Sequence, residues 1–337
     1  LGIRTRAMQY FNRRGQLVIS APCGEYAGYR WPQYSVHRGE FQLLLARVLR
    51  ERAGPDCLVT GHRLADFEQQ AEKVTARFVD PVSGDTVGSE EGDILVGADG
   101  LHSEIRARLL PGEGRPIYTG MMTYRGAAAG PPYLDGDSMI IVGDKRQRLV
   151  SYPISESMRQ RGQSHINWIA VFPRETNEVD EIWDNLTDPA ELTSRYRAWH
   201  FDWLDVPGLI RKTERIMAFP VHDRDPLSQW SFGRVTLLGD AAHPLIPVSS
   251  SGAVQAIIDG RALAFALANA PDSVAGLKAY EDDRMQKANA VVLASRENGP
   301  DEVLEIAREK VPETADDVHD HVSQDELQAV LDVGEVR

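Results

Sequence analysis

Cysteine is scarce in this chain of 337 residues, since only Cys23 and Cys57 occur. Two cysteines at this spacing predict neither a disulfide framework nor a metal site. Such sparing use is typical of a reducing, cytoplasmic setting. Apolar runs long enough to cross a bilayer are missing as well, so we expect no membrane span.

Basic charge is also in short supply, because 37 Lys and Arg stand against 50 Asp and Glu, a formal net charge of −13. Nucleic acids and anionic membranes attract basic patches, so we expect neither as a partner. The chain begins at Leu1 rather than Met, and its first residues contain no apolar signal-peptide core. We therefore expect a fragment or a processed chain, of ordinary globular composition.

The spacing of apolar and turn-forming residues predicts a regular order of elements. A helix is predicted after Arg38, because apolar residues recur there with the helical period until Gly54 and Pro55 end the pattern. A hairpin is predicted over residues 8–20. Similar patterns predict strands at residues 57–60, 63–68, 74–79, 94–96, 138–142, 148–153, 165–172 and 235–238, and helices at residues 190–199, 253–267 and 274–295.

Strand–turn–helix blocks stand at both ends of the chain, and a region rich in strands lies between them. This arrangement favours an α/β fold in which a parallel sheet is interrupted by a second layer. Ligands of open α/β sheets bind at the carboxyl ends of the strands, so the residues that follow each apolar strand are the candidates for ligand binding.

The most informative of these is Gly-Asp-Ala-Ala-His-Pro at residues 239–244, directly after an apolar strand. Small residues there let the backbone approach a ligand, and Asp240 can accept two hydroxyls of a ribose or ribityl chain. The polar loop from Pro247 to Gly252 then leads into a helix near Ala253. A helix N-terminus suits a phosphate or a reduced flavin anion.

Two further segments have the same character. Asp99 follows the strand at residues 94–96, with Ser103 as a candidate N-cap of the next helix and Arg106 three residues later. Arg38 opens the first predicted helix, where a cation is unfavourable unless a bound anion lies nearby. Taken alone, Asp99 and Gly100 could form only a turn, and Arg38 alone would be interpreted as a solvated surface arginine.

Taken together, the segments resemble the FAD-dependent aromatic hydroxylases of the p-hydroxybenzoate hydroxylase type. Within that family the chain is similar to the methylphenazine-carboxylate hydroxylase group. The resemblance covers nearly the whole chain and is carried by residues 31–40, 97–106, 223–227 and 239–259.

The resemblance implies roles for individual residues. Asp240 would bind the ribityl and pyrophosphate region of FAD, and Arg38 would contact its phosphate or ribityl part. Val59 would meet the adenine through its backbone, and Asp99 and Arg106 would serve FAD and the nicotinamide cofactor. Pro247, Gly252 and Ala253 would line the isoalloxazine ring, and the residues placed at the substrate pocket are Tyr124, Arg125, Tyr152, Phe219 and Pro220.

The activity that the resemblance implies is flavin chemistry with no catalytic protein side chain. NADH or NADPH would reduce FAD as a transient co-substrate, and a flavin hydroperoxide formed with O2 would hydroxylate a small aromatic or heteroaromatic substrate. The protein would supply positioning and a dry site. A homodimer is left open.

The implied fold is a Rossmann-like FAD/NAD(P)-binding domain with an inserted, sheet-rich substrate domain. Its parts would be the FAD-binding domain at residues 1–115 and 229–300, the substrate domain at residues 116–228, and an acidic tail, peripheral or partly disordered, at residues 301–337. The family's first βαβ unit carries Gly-x-Gly-x-x-Gly, and no such spacing occurs here. We therefore expect that unit to be absent and its neighbours to expose apolar surface.

The loop before the flavin helix departs from the family too, because Ser249 and Ser251 stand where relatives usually have glycine, or asparagine at the second position. Serine at a positive φ is strained, so weak or altered flavin binding is a hypothesis to test. Two alternatives stay open: a truncated, inactive remnant, and a related FAD-dependent reductase. A halogenase is disfavoured because its Trp-x-Trp-x-Ile-Pro motif is absent.

Overall fold

A computed structural model describes residues 2–174, 188–247, 251–297 and 301–334 of the chain. The chain divides into two compact units. The first unit comprises Leu1–Gly54, Thr119–Val221 and Gly299–Arg337, and the second comprises Pro55–Tyr118 and His222–Asn298. The predicted functional domains stay a prediction, because compactness alone does not test what each segment binds.

Strands occur throughout the described residues and follow one another in a mixed α/β order. In chain order they are β1 (Ile3–Arg4), β2 (Ala7–Phe11), β3 (Leu17–Pro22), β4 (Tyr34–Ser35), β5 (Arg63–Gln69), β6 (Val74–Val79), β7 (Thr86–Gly92), β8 (Leu95–Gly97), β9 (Ile117–Gly130), β10 (Met139–Asp144), β11 (Gln147–Pro153), β12 (Ser164–Pro173), β13 (His200–Phe201), β14 (Leu204–Asp205), β15 (Met217–Asp223), β16 (Ser231–Phe232) and β17 (Val235–Leu237).

The helices are concentrated toward the C-terminal half, and the two longest are consecutive. They are α1 (Arg38–Ala53), α2 (Glu104–Leu109), α3 (Glu156–Arg159), α4 (Pro189–Arg195), α5 (Val206–Arg211), α6 (Gly252–Asn269), α7 (Ser273–Arg296), α8 (Glu302–Lys310) and α9 (Gln324–Gly334). None of the described helices combines the length and the hydropathy that a membrane span requires.

A seven-stranded sheet with the order β15-β9-β12-β11-β10-β2-β3 forms the body of the first unit. The strands β9, β12, β11 and β10 are joined by antiparallel pairing, and β10 pairs in parallel with β2, where Ile141 lies opposite Tyr10. The predicted hairpin near the N-terminus is confirmed as β2 and β3. It extends the middle sheet, because β2 hydrogen-bonds to β10.

The C-terminal helices cover one part of this sheet. Val303 and Leu304 of α8 and Leu327 of α9 are buried in a cluster with Tyr10 and Ile141. The described part of this acidic segment therefore contributes to the core of the first unit, where the sequence predicts a peripheral helix or a partly disordered tail. The many Asp and Glu residues of this segment obscure, in the sequence, the helical spacing of the apolar residues that pack in the core.

The second unit contains two three-stranded sheets, with the orders β16-β17-β8 and β5-β6-β7. Its core brings Trp230 and Leu237 together with Leu263 of α6 and Tyr280 of α7. The predicted helices at residues 253–267 and 274–295 are confirmed as α6 and α7.

The strand predicted at residues 57–60 is wrong. A short 3-10 turn occupies Pro55–Cys57, and the following residues, including Val59, form no strand. The physical reason is that a short apolar run is held as a strand only when another strand hydrogen-bonds to it, and none of the described strands pairs here. Val59 is 64% exposed in this loop.

The first predicted helix is confirmed as α1, with Gly54 as its C-cap. Three of its leucines are exposed, however, namely Leu43 at 71%, Leu45 at 51% and Leu49 at 44%. The helix has no buried residue at all. This agrees with the expectation that apolar surface is left uncovered.

Candidate functional site

The turn after β17 is built for close approach of a ligand to the backbone. Gly239 has a φ of +61°, and a Cβ atom there would lie 3.2 Å from the side chain of Ala256 on α6. Glycine is favoured at such a position, because other residues are strained at positive φ. The next residue, Asp240, is exposed at the carboxyl end of the strand.

The two acidic motifs lie at one edge of the same sheet. β17 pairs in parallel with β8, with Leu237 opposite Gly97, and the amide of Leu238 donates to the carbonyl of Gly97 at 2.9 Å. Because parallel strands end at the same edge, Asp99 and Asp240 both follow strand ends there. The sequence predicted each motif separately, and the strand pairing joins them.

The carboxylate of Asp99 accepts hydrogen bonds from the start of the helix that follows it, α2. Its carboxylate accepts from the hydroxyl of Ser103 at 2.5 Å and from the amides of Glu104 and Ile105 at 2.8 and 3.3 Å. The Ser103 hydroxyl in turn accepts from the amide of Arg106, which confirms Ser103 as the N-cap of α2. Asp99 thus satisfies amides that the first turn of a helix leaves unpaired. Its predicted contact with a cofactor stays a prediction.

The buried side chain of Arg106 holds the turn after β17 by hydrogen bonds to its backbone. Its guanidinium donates to the carbonyls of Ala241 and Ala242, both at 3.0 Å, and to the carboxylate of Glu113. The same carboxylate also pairs with Arg224 at 2.8 Å. With a further bond to the carbonyl of Asp225, every N–H of Arg106 is engaged within the chain. In this arrangement Arg106 positions the Asp240 turn rather than facing a ligand.

A second buried network holds the same turn. Asp259 of α6 bonds His243 at 2.5 Å and Arg284 at 2.8 Å, and it accepts from the amide of Gly239 at 3.2 Å. Burial alone would raise the pKa of Asp259, but the hydrogen bonds and charges of His243 and Arg284 hold it below its ordinary value. The carboxylate is therefore kept ionised beneath the turn.

Arg284 is a residue that the sequence analysis did not single out. It lies on the buried stripe of α7, with Tyr280 and Ala288 four residues to either side. A charged residue at a core position of a helical pattern is the available signal, because such a charge needs a buried partner. Sequence alone does not identify that partner as Asp259.

The N-terminus of α6 faces the Asp240 turn. A Cβ atom on Gly252 would lie 3.8 Å from a carboxylate oxygen of Asp240, and Ser251 as N-cap makes no side-chain capping bond to the helix. Pro247 and Ala253 are exposed on either side of this approach. Ser249 lies outside the described residues.

This donor set fits FAD. An exposed carboxylate accepts hydrogen bonds from hydroxyls, such as those of a ribityl chain. The free amides of a helix N-terminus favour an anion. The small residues around Asp240 leave room for a planar ring to approach the backbone. Of the predicted cofactor residues, Val59, Asp99, Arg106, Asp240, Pro247, Gly252 and Ala253 belong to the second unit, and Arg38 to the first.

The predicted substrate residues all belong to the first unit, but they do not share one face of its sheet. Tyr124 is buried and stacks on Phe172, with ring centroids 4.8 Å apart. Arg125 follows it on β9 and therefore points to the opposite face. The guanidinium of Arg125 lies 5.7 Å from the ring centroid of Phe219. Tyr124 is thus packed in the core, while Arg125 and Phe219 lie together.

Tyr152 and Arg38 belong to the surroundings of Arg125. Burial raises the pKa of Tyr152, and the positive charges of Arg125 and Arg38 oppose this rise. Pro220 follows Phe219 on β15 and is partly exposed. The structure therefore groups Arg125, Tyr152, Phe219 and Arg38, and whether they contact a substrate stays a prediction.

Comparison with protein families gives one match over most of the chain. The model of the FAD binding domain family matches residues 34–295. Among curated proteins, phenazine 1,6-dicarboxylic acid hydroxylase PhzS of Lysobacter antibioticus is 40% identical, over 88% of this chain and 74% of that protein. The 6-hydroxynicotinate 3-monooxygenase of Bordetella bronchiseptica is 32% identical, over 84% and 71%.

Solved structures show the same fold. Klebsiella pneumoniae HpxO, complexed with FAD and uric acid, matches with a TM-score of 0.73 and 24% identity, over 99% of this chain and 81% of that one. A salicylate hydroxylase substrate complex matches with a TM-score of 0.69 and 23% identity, over 98% and 79%. The α/β fold class predicted from the sequence is confirmed.

Proposed function

Because the chain belongs to the FAD binding domain family of flavin-dependent monooxygenases, we propose that it hydroxylates an aromatic or heteroaromatic small molecule. The co-substrates are O2 and NADH or NADPH. The chemistry that bound FAD supplies is the transfer of two electrons from NADH or NADPH to O2, with one oxygen atom entering the ring and the other leaving as water.

The observation that carries this proposal is the exposed Asp240 carboxylate beside the N-terminus of α6. Asp240 would accept hydrogen bonds from ribityl hydroxyls, and the first amides of α6 would favour a negatively charged part of the flavin. Arg106 and Asp259 hold this turn from the buried side. The side chains therefore bind and orient, and no protein nucleophile is required.

A titration of the protein with FAD tests the binding site. We expect flavin fluorescence to be quenched on binding, and Asp240→Asn to weaken the affinity about tenfold or more by removing a charged acceptor. The matched control is Asp85→Asn, since Asp85 is exposed in the turn between β6 and β7. Equal affinities of the two variants, or no uptake of FAD, contradict the proposal.

Product analysis separates the monooxygenase from the FAD-dependent reductase. With a panel of aromatic substrates, NAD(P)H oxidation should rise, and a product with one oxygen atom from labelled O2 should appear. Substrate-stimulated NAD(P)H oxidation with no oxygenated product favours the reductase. A cytoplasmic location and a homodimer stay predictions from the sequence.

A further inference from the structure

Gln255, in the first turn of α6, accepts a hydrogen bond from a buried arginine of the neighbouring helix. The Nη2 group of Arg284 donates to the Oε1 atom of Gln255 at 2.6 Å. The Nε group of the same guanidinium donates to the carboxylate of Asp259 at 2.8 Å. Because Gln255 and Asp259 are four residues apart, they lie on one face of α6. One planar guanidinium therefore holds the first two turns of α6 at once.

The helix α7 gives this guanidinium a fixed position. Arg284 lies on the buried stripe of α7 between Tyr280 and Ala288, which are both fully buried. At the other end of the helix pair, Gly276 of α7 lies so close to α6 that a Cβ atom there would be 2.9 Å from the side chain of Leu267. Close packing therefore holds the C-terminal part of α6, while Arg284 holds its N-terminal turn.

The N-terminal turn of α6 gains little from packing on its outer side. Ala253 is exposed, and Val254 is 54% exposed. A turn with few buried contacts is displaced at a low cost in free energy. Loss of the hydrogen bond between Arg284 and Gln255 should therefore move the first amides of α6 relative to the Asp240 turn.

The two redox forms of FAD differ in the charge that these amides would meet. The phosphates of FAD carry the same charge in both forms, whereas the ring system gains one negative charge when it takes up two electrons and one proton. The attraction between a helix N-terminus and an anion falls off within the first turn of the helix. A displaced first turn should therefore weaken binding of the reduced, anionic form more than binding of the oxidised form.

We propose that Gln255, held by Arg284, is a positioning residue for the N-terminus of α6. The hydrogen bond between the two side chains fixes the first amides of α6 and so sets the relative affinity of the protein for reduced and oxidised FAD. Both side chains act through the backbone of α6, and neither touches FAD. This inference rests on the proposed function, because it requires that FAD binds beside Asp240.

The ratio of the affinities for reduced and oxidised FAD tests the inference. The protein is titrated by calorimetry with oxidised FAD and, without air, with FAD that dithionite has reduced by two electrons. Gln255→Met removes the acceptor and keeps a long side chain that favours a helix. Arg284→Lys keeps a positive charge beside Asp259 but lacks the planar fork that reaches both acceptors. The control is Gln286→Met, because Gln286 is exposed on α7.

We expect Gln255→Met to lower the ratio of the affinities about threefold or more, with the affinity for oxidised FAD changed less than about twofold. Arg284→Lys should lower the ratio by a similar factor. The double variant should have no larger effect than the stronger single variant, because both substitutions break the same link. Gln286→Met should keep the wild-type ratio.

An unchanged ratio in Gln255→Met overturns the inference. Equal weakening of both forms overturns it as well, since α6 would then meet a phosphate or Gln255 would support only the fold. Additive effects in the double variant show that the two residues act separately, which also contradicts the link. If Arg284→Lys does not fold, Gln255→Met decides alone.

Failure of the proposed function gives a different result. A wild-type protein that takes up neither form of FAD refutes the proposed function and the inference with it. A wild-type protein that binds both forms, together with a Gln255→Met variant that keeps the wild-type ratio, refutes the inference alone.

Discussion

Arg284 is the residue whose replacement most directly tests the buried network under the Asp240 turn. Its side chain is 7% exposed and that of Asp259 is 0% exposed. Breaking a buried ion pair by removing one partner costs about 3–5 kcal/mol, because it leaves an uncompensated charge. We therefore expect Arg284→Ala to lower the free energy of unfolding at pH 7 by about that amount, measured by urea denaturation.

The same network has a defined pH dependence. The pKa of Asp259 is lowered in the folded protein, so its stabilising contribution is present above the unfolded value of about 3.9 and is lost as the pH falls through the folded value. Arg284→Ala removes one of the two groups that oppose the effect of burial. The folded pKa of Asp259 then moves toward the unfolded value, so the variant should lose less stability from this group on acidification than the wild type does.

Lys287→Ala is the control for Arg284→Ala, because Lys287 pairs with Asp283 on the exposed side of the same helix. An exposed pair of this kind contributes about 0.5 kcal/mol or less. If the two variants unfold at the same urea concentration at every pH, the network does not stabilise the protein.

The helix α2 is stabilised at its start by two side chains that act together. Ser103→Ala removes the cap of the Arg106 amide and should cost about 1 kcal/mol. Asp99→Ala should cost a similar amount, and the double variant less than the sum, since the Ser103 hydroxyl donates to Asp99. Urea denaturation measures all three. Ser89→Ala on the exposed strand β7 should change stability by no more than about 0.5 kcal/mol, and strict additivity would contradict the shared cap.

The elements that the sequence predicted well are those with local signals. The bounds of α1, α6 and α7 agree with prediction within one or two residues, because helical periodicity and caps such as Gly54 are encoded nearby. The strand at residues 57–60 failed because a strand depends on a distant partner. α8 and α9 were obscured by acidic residues around their apolar stripes.

For the candidate site too, local patterns were predictable from the sequence and long-range contacts were not. Spacing along the chain located Asp240 and the helix after it, since the motif is local. It did not find Arg284, which is 25 residues from its partner Asp259. Contacts of this kind arise only when the chain folds.

The exposed apolar stripe of α6 is a candidate surface for association between whole molecules. Val254, Ile257 and Phe265 recur at helical spacing on one side of α6 and are 54%, 55% and 71% exposed. Apolar side chains that recur on one exposed helical face favour association. We therefore expect this chain of 337 residues to self-associate as its concentration rises, which sedimentation velocity and light scattering would detect.

The double substitution Ile257→Lys with Phe265→Lys should shift the chain toward the monomer. It should change the free energy of unfolding by about 0.5 kcal/mol or less per site, because both side chains already face solvent. Val82→Lys is the control, since Val82 is 95% exposed but isolated in a turn, and it should leave association unchanged. A wild-type chain that stays monomeric over the whole concentration range, or equal association in both variants, would show that the stripe does not drive it. The stripe is the informative feature because one exposed apolar residue is ordinary, whereas three recur here on one helical face.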